Sequence, residues 1–477
     1  MKMERPVPSA DAASGETGAP PWRIFLIASA AVFLVSIDST VLFAAFAALR
    51  EAFPANSAAG LSWVLNAYTV VYAAMLVPAG RLADTHGRKR MFMTGVGVFS
   101  LASLACGLAP DVMALVAARV LQAVGAALLM PASLAIVLGA FPLRQRAVAV
   151  SMWGAVGGLA AAAGPSVGAW LVDGLGWRWA FFINLPPALW SLWRARRQLP
   201  AEGAPASGGR RFDAVGVALL VAGVGALTWA VVSFEAHPWR SPQVAGAASL
   251  GLLLMAGFVA WARGRADAAL DLSLFSSRTY RAVNLATLVF GAAFAMMFFG
   301  FFFFMTGIWH YSLPLAGLAI TPGPLMVVPV ALLCGRLAAR TGHRPVLVGG
   351  CLLLAAGGIW QSLVPGVQPQ YLTHWLPSQL MTGIGVGMAM PSLAGAAVAS
   401  LGSAQYGVGS AVNQAIRQFG TVLGVAWTIV VLGHAQIGLE DFRLLSRTYA
   451  ALALLSAVLC LAVHTRPPGS PAGRKPA

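Results

Sequence analysis

Apolar runs of about 20 residues recur along the chain from Arg23 to His464, and this feature limits the possible folds more than any other. A run of that length crosses the roughly 30 Å hydrocarbon core of a bilayer as a helix. Only 10% of the residues are charged, whereas a soluble domain carries about 25%. Because lipid offers no hydrogen bonds, each span must satisfy its own backbone, and runs about twice as long as a barrel strand favour helices. The sequence therefore predicts an all-α integral membrane protein.

Clusters of charged, Pro and Gly residues divide the apolar sequence into 14 predicted transmembrane spans. The predicted spans are 23–49, 61–82, 91–109, 112–139, 148–173, 178–198, 213–235, 244–263, 283–309, 313–335, 345–365, 372–400, 409–435 and 447–464. The predicted organisation is an N-terminal tail (1–22), a six-helix half (23–198), linkers with an inserted helix pair (199–282), a second six-helix half (283–464) and a C-terminal tail (465–477).

The Lys and Arg residues are distributed unevenly between the two sides of the predicted spans. The side that carries both termini holds 24 of them, and the opposite loops hold 5. Because short cytoplasmic loops retain positive charge, both termini are expected in the cytoplasm. The net charge of +16 does not predict nucleic-acid binding, since no basic run is interleaved with exposed aromatic residues.

Two sequence segments recur at matching places in the two predicted halves. GRLADTHGRK begins at Gly80 and GRLAARTGHR begins at Gly335, an offset of 255 residues. Gly125 recurs as Gly385 at an offset of 260, and Met130-Pro131 recurs as Met390-Pro391 at the same offset. These echoes favour a duplication, and parallel repeats with a binding site at their interface are a known transporter plan.

The loop after the second predicted span resembles the signature loop of the major facilitator superfamily. Gly80 permits close helix approach, and Asp84 can pair with an arginine or with a helix N-terminus. We expect Gly80, Asp84, Gly87 and Arg88 to form a gate that holds the cytoplasmic side closed. The alternative is a solvated basic turn that only retains topology, and the second half has Ala339 in place of the carboxylate.

The fourth predicted span carries Arg119, in a segment that resembles the intramembrane arginine motif of the same superfamily. A buried arginine is costly in lipid and faces a partner or an aqueous cavity. The resemblance implies a part in proton coupling, and hydrogen bonding to neighbouring helix carbonyls is the alternative. The counterpart of Arg119 in the second half is the uncharged Gln379.

The fifth span and the segment after it carry two further motifs. Gly164-Pro165-Ser166-Val167-Gly168 resembles the antiporter motif of the superfamily, with generic helix packing as the alternative. The segment from Trp177 to Pro186 resembles the 14-helix drug:H⁺ antiporter family, although its physical role can be that of an aromatic interfacial anchor. Asn413 and Arg417 in the thirteenth span agree with that family, and snorkelling to the interface is the alternative for Arg417.

Asp38 lies in the middle of a predicted span, as none of the other 14 acidic residues does. It fits the acidic start of the first helix in the family, although Phe43, Phe46 and Ala47 replace the usual Asn, Leu and Pro. A carboxylate is expensive to keep ionised at this depth, so we expect Asp38 to take up and release protons, with Arg119 favouring the ionised form. Hydrogen bonding between helices and recognition of a cationic substrate are other roles open to Asp38.

The predicted function is a proton-coupled antiporter that exports small lipophilic drugs or toxic compounds across the bacterial inner membrane. We expect a monomer that uses the proton gradient and no cofactor, with a lipophilic or cationic substrate. The phenylalanine run 298–304, which is interrupted only by Gly300, either lines a lipophilic pocket or faces lipid or packs helices. A dedicated exporter of one endogenous metabolite is the alternative. A channel or a membrane enzyme is disfavoured, because the sequence has no filter-like loop, nucleophile elbow, phosphate loop or metal-ligand constellation.

Overall fold

The computed structural model describes residues 20–199, 213–233, 241–265, 268–399, 401, 406–432 and 437–465, without the side chains of 84–85, 143–144, 146–148, 150–151, 155, 232, 339 and 406–407. Most of these residues are helical, and the described ranges contain no β-strand. The helices are α1 (Pro21–Ala52), α2 (Ala58–His86), α3 (Arg88–Gly107), α4 (Val112–Ala140), α5 (Leu143–Leu175), α6 (Trp179–Phe182), α7 (Leu185–Gln198), α8 (Ala214–Val232), α9 (Pro242–Ala262), α10 (Arg278–Gly307), α11 (Leu313–Ile320), α12 (Pro322–Thr341), α13 (His343–Leu363), α14 (Leu376–Ala399), α15 (Tyr406–Leu432) and α16 (Leu439–Cys460).

Thirteen described helical segments are long and apolar enough to cross a membrane, with α11 and α12 counted as one. The predicted span 178–198 is formed by α6 and α7, and Ile183 and Asn184 between them keep right-handed helical backbone angles. The prediction of an all-α membrane fold is thereby confirmed, with two six-helix halves and an inserted pair, α8 and α9.

The structure corrects one predicted boundary and shows a break inside another predicted span. The last helix begins at Leu439 instead of 447, because its charged first turns are satisfied locally: Asp441 Oδ2 accepts from Gly438 N at 2.8 Å, and Arg443 pairs with Glu440 at 2.6 Å. The predicted span 313–335 is two helices that meet at Thr321. Proline at the first position of α12 has no N–H to continue the hydrogen-bond ladder of α11.

Glycines at equivalent helix junctions of the two halves support the duplication that the sequence predicts. Gly87 (φ 91°) joins α2 to α3, and Gly342 (φ 80°) joins α12 to α13, so both repeats use a backbone conformation that suits glycine.

Helix packing repeats in the same way. A Cβ at Gly125 would lie 3.0 Å from Gly95 O, where α4 crosses α3, and a Cβ at Gly385 would lie 2.8 Å from Gly350 O, where α14 crosses α13. Small residues permit such close crossings between membrane helices.

The main contacts between the two halves join α1 with α10, α2 with α15, and α5 with both α11 and α12. The inserted helix α8 packs on both α2 and α15, so it covers a seam between the halves, where Val224 contacts Val70 and Val422. Asp213 caps α8 and joins the insert together by accepting from Trp261 Nε1 at 2.9 Å and from Ala269 N at 2.8 Å. Burial opposes the charge of Asp213, but these hydrogen bonds outweigh it and hold its pKa below the usual value.

Aromatic side chains close the interface at the end of the bundle where α1 ends. The ring of Phe43 lies 5.5 Å from that of Phe298 and 5.2 Å from that of Phe299, and the ring of Phe46 lies 5.1 Å from Phe299 and 6.0 Å from Phe303. We call these five residues the phenylalanine seal. These contacts pack α1 against α10 across the two halves. Phe298, Phe299 and Phe303 of the run therefore pack helices.

Candidate functional site

Asp38 and Arg119 are brought together inside the first half. Arg119 Nη1 donates to Asp38 Oδ2 at 2.7 Å, and the two side chains are each 1% exposed. A buried ion pair is retained only when further hydrogen bonds satisfy both partners, since the cost of removing two charges from water is large. The surroundings of the pair are therefore part of the site.

Amide side chains satisfy the other oxygen of the carboxylate. Gln122 Nε2 and Asn184 Nδ2 each donate to Asp38 Oδ1 at 2.9 Å, and Gln122 Oε1 accepts from Arg119 Nη1 at 2.6 Å. Ser103 Oγ accepts from Asn184 at 3.0 Å and from Gln122 at 3.3 Å. We call these five residues the ion-pair network; it joins α1, α3 and α4 to the residue that precedes α7.

Arg119 has two further contacts on its other side. Its Nε donates to Val64 O at 3.0 Å, and its guanidinium lies 4.0 Å from the ring centre of Tyr68, both on α2. A cation over an aromatic ring is stabilised by the ring quadrupole. Arg119 therefore forms an ion pair with Asp38 and also donates a hydrogen bond to a helix carbonyl. The second contact is the alternative role that the sequence left open for Arg119.

The sequence assigned a role to Asp38 and Arg119 only, although Gln122 lies in the arginine-motif segment and Asn184 in the segment Trp177–Pro186. Ser103, Gln122 and Asn184 are uncharged residues of types that occur singly in many membrane helices, and only their convergence in space shows what they bind. Asn184 did carry a signal, because it lies in the family-specific segment Trp177–Pro186, whose aromatic residues indicate an interfacial anchor. Its polar side chain, fully buried, holds Asp38.

The antiporter-like motif of α5 packs directly behind Asp38. A Cβ on Gly164 would overlap the Thr40 hydroxyl, and a Cβ on Gly168 would lie 2.9 Å from Val41 Cα. On its other face α5 contacts the second half, where the hydroxyls of Ser166 and Thr321 lie 2.6 Å apart. The motif is thus the packing link between α1 and α11.

At that link the backbone of α5 approaches α11 closely. A Cβ on Gly317 would lie 2.7 Å from Pro165 O, so only a glycine at position 317 lets α11 reach this carbonyl without a shift.

The candidate gate residues lie around the junction of α2 and α3: Gly80 and Asp84 belong to the end of α2, Gly87 is the junction, and Arg88 begins α3. Gly80 approaches Pro131 of α4, with 3.7 Å between a Cβ built on Gly80 and the Pro131 Cβ, and Arg88 Nη1 donates to Ala135 O at 3.4 Å. Gly87 supplies the positive φ of the turn. The side chain of Asp84 lies outside the described residues.

The second-half candidates do not form a second ion pair within the described residues. Gln379 is fully buried, and its Nε2 donates to Ile320 O where α11 ends. Arg417, on α15, is partly exposed, and its Nε donates to Gln414 Oε1 at 3.3 Å. The ion pair of Asp38 and Arg119 in the first half thus has no counterpart at Gln379 and Arg417 in the second.

The sequence model described as Major Facilitator Superfamily matches residues 28–425 and 283–477 of this chain. The chain belongs to the major facilitator superfamily. Members of this superfamily are membrane transporters, so the chain is a multi-pass transporter and not an enzyme. The described residues also contain no group of three or more His, Cys, Asp and Glu side chains placed to hold a metal ion.

Individual relatives from this superfamily cover most of the chain. The puromycin resistance protein pur8 of Streptomyces alboniger is 35% identical over 85% of this chain and 80% of its own. The cephamycin export protein CmcT of Amycolatopsis lactamdurans is 32% identical over 93% of both chains, and the multidrug resistance protein Stp of Mycobacterium tuberculosis is 32% identical over 83% of this chain and 73% of its own. An auto-inhibited POT family peptide transporter shares the fold, with a TM-score of 0.65 at 18% identity over 95% of this chain and 99% of its own.

Gly164→Ala in this major facilitator protein is expected to impair packing and transport, because the added Cβ meets a β-branched side chain fixed on α1. Overpacking of this kind costs about 1–3 kcal/mol. The control is Gly154→Ala on the same helix, where a Cβ would have no neighbour within 4 Å. Thermal unfolding of the two purified variants measures the difference, and equal unfolding temperatures would show that α1 and α5 are not tightly packed at this point.

Proposed function

We propose that this transporter exports small lipophilic compounds across the bacterial inner membrane in exchange for protons, by alternating access. The observation that carries the proposal is the ion-pair network, which buries a carboxylate and a guanidinium in the first half with every carboxylate oxygen bonded. A buried carboxylate that can take up a proton is a standard element of proton relays in membranes. The names of the relatives, which refer to antibiotic resistance and export, support efflux as the direction.

The coupling step follows from the packing around Asp38. Protonation of Asp38 removes the charge attraction to Arg119, and α1 then shifts against α5 where Gly164 meets Thr40. Because α5 also contacts α11 at Ser166 and Thr321, a shift of α5 reaches the second half. The protonation state of Asp38 thereby biases how the two halves sit against each other.

The direction of opening follows from the proposed orientation of the termini. With both termini in the cytoplasm, α1 ends on the outer side, so the phenylalanine seal closes the outer end of the interface. In this state the cytoplasmic end receives the substrate. The segment from Gly80 to Arg88 forms the cytoplasmic gate in the opposite state, with Asp84 as its carboxylate.

Proton exchange is tested in everted vesicles from a host that lacks its own efflux pumps. Addition of a transported compound should release protons from vesicles acidified inside, and the release should stop when an ionophore collapses the gradient. A growth panel of toxic lipophilic compounds, with puromycin included because of the relative's name, selects the compound. Transport that continues unchanged without a gradient would refute antiport.

The names of the cephamycin and puromycin relatives also favour a second candidate, a dedicated exporter of one endogenous metabolite. The same panel separates the two, because a multidrug transporter protects the host against several unrelated compounds and a dedicated exporter against at most one.

The orientation predicts a clear result for reporter fusions. A reporter active only outside the cytoplasm should be silent after Ala477 and active near Pro238, between α8 and α9, because the Lys and Arg bias retains both termini inside. Fluorescent protein fusions at the same two sites should give the inverse pattern. Activity after Ala477 would reverse the orientation and the sidedness of the phenylalanine seal.

Asp84→Asn should leave expression unchanged and slow transport, because the amide keeps hydrogen bonds and loses the attraction to positive charge that closes the gate. Efflux rate per molecule of protein measures this, with the wild-type membrane level as the reference. Full activity across substrates and pH would show that the turn only retains topology.

A further inference from the structure

Four polar side chains form one stripe along α15. Gln414, Arg417, Gln418 and Thr421 are spaced at i, i+3, i+4 and i+7, so they share a helix face, and all four are partly exposed. We call them the α15 stripe. Polar residues on one face of a membrane helix mark a face that avoids lipid.

The neighbours of α15 show where the stripe points. Asn413 bonds Asn284 of α10 at 3.0 Å on one flank of the stripe, and Val422 packs against α2 and α8 on another face. Further along α15, the stripe continues into Val425 and Ile429, which belong to one apolar cluster with α1 and four of the five residues of the phenylalanine seal. The α15 stripe therefore faces the first half, between the two halves of the protein.

The position of Arg417 along the helix gives its depth. It lies eleven residues after the start of α15, or about 16 Å along the axis. This places Arg417 well inside the span, between the apolar cluster and the end of the bundle where α1 begins. The phenylalanine seal does not cover that end.

Arg417 has a charge that no described residue balances. Among the described residues no carboxylate lies within ion-pair distance of it, and its one hydrogen bond leaves the terminal amines available. Asp38, by contrast, is fully occupied by Arg119, Gln122 and Asn184. In the part of the chain that the structure describes, the interior between the halves therefore offers a free cation and no free anion.

The first half packs against α15 on both sides of this cation in the sequence. Tyr72 of α2 belongs to one packed cluster with Ala415 and Phe419, which flank Arg417 on α15. The Tyr72 ring is fully buried, so the group open to a ligand is the partly exposed guanidinium of Arg417, which suits a lipophilic molecule that carries an acidic group.

We propose that Arg417, with Gln414 beside it, binds an ionised acidic group on the exported compound, so that the cargo is a lipophilic acid. The proposal rests on the export function above and names its substrate class. A guanidinium binds a carboxylate through charge-assisted and often paired hydrogen bonds, which are stronger than those to a neutral ester. The proposed binding of an anionic group by Arg417 differs from recognition of a cationic substrate by Asp38.

The test compares three fluorescent probes of one scaffold, which are dansyl-glycine, its methyl ester and dansyl-ethylenediamine. They carry negative, zero and positive charge. Their binding to the purified full-length protein in phosphatidylcholine nanodiscs is measured by fluorescence. Dansyl-glycine should bind about tenfold more tightly than its ester, as expected for one charge-assisted hydrogen bond. Equal affinity of acid and ester, or tightest binding of the cation, would overturn the proposal without any variant.

Variants then assign the preference to Arg417. Arg417→Gln should bring the ratio of acid to ester affinity close to one, and Arg417→Lys should keep part of it. Arg443→Gln is the control, because this arginine is partly exposed at the start of α16 and pairs with Glu440. An unchanged ratio in Arg417→Gln would refute the assignment, and if that variant does not fold, a ratio lost in a folded Arg417→Lys supports the guanidinium.

Two further arms separate this proposal from others. If phosphatidylglycerol in the nanodiscs abolishes the binding of dansyl-glycine, the site belongs to a lipid headgroup and the proposal fails. Binding needs no proton gradient, so a protein that prefers the acid and releases no protons would refute antiport while leaving the acid site intact. Proton-coupled export without any preference for the acid would refute the acid site and leave antiport intact.

Discussion

Asp38→Asn is expected to reach the membrane in normal amount and to lose efflux driven by a pH gradient down to the level of the empty vector. The amide keeps an acceptor for Arg119 Nη1 but cannot take up and release a proton in the working range. Arg119 loses its counter-charge, which lowers stability, but Val64 O, Gln122 Oε1 and the ring of Tyr68 still stabilise the guanidinium, so we expect the variant to fold. Asp38→Glu should keep part of the activity, because the carboxylate remains and only its position changes.

Substrate-induced proton release in everted vesicles measures the effect, with transport normalised to the amount of protein in the membrane. The control is Asp173→Asn, which removes a carboxylate at the exposed end of α5 and should change neither rate nor coupling. Wild-type proton release in Asp38→Asn would show that the proton binds elsewhere, and the coupling mechanism proposed above would fail. Unchanged substrate efflux without proton release would instead make Asp38 a coupling residue with no part in substrate movement.

The fold and the two charged residues of the network were predictable for one physical reason. Lipid makes charges inside a span costly, so Asp38 and Arg119 stand out in an apolar sequence, and the lengths of the apolar runs fix the spans. The same rule predicted that the last span starts at residue 447, whereas α16 begins at Leu439. A charge does not end a helix when a neighbour one turn away pairs with it, as Glu440 does with Arg443.

The remainder of the site depends on contacts between distant parts of the chain. Ser103, Gln122 and Asn184 come from three separate segments, and no spacing in the sequence indicates that the two amides meet at Asp38 or that Ser103 bonds both of them. The packing of Phe43 and Phe46 on α10 is of the same kind. The α15 stripe differs, since its i, i+3, i+4, i+7 spacing is readable in the sequence, but only the neighbours of α15 show which way it faces.

Arg119→Met is expected to cause a large loss of stability. It leaves Asp38 as a buried carboxylate with amide donors and no cation, and breaking a buried ion pair from one side costs about 3–5 kcal/mol. Arg443→Met, which breaks a largely exposed pair, is the matched control and should cost at most about 1 kcal/mol. Equilibrium unfolding of the purified variants in mixed micelles measures both.

The double variant Asp38→Asn, Arg119→Met separates the ion pair from the other contacts of Arg119. If the uncompensated charge causes the loss, the double variant should regain most of the stability, because it buries no charge at this place. The deficit of Arg119→Met alone should also shrink at acidic pH, where the carboxyl takes up a proton and its charge is removed. If the two single effects simply add and the deficit does not change with pH, Arg119 stabilises the protein through Val64 O and the ring of Tyr68 instead. The ion pair would then have little energetic weight, and protonation of Asp38 would have too small an effect to bias the two halves.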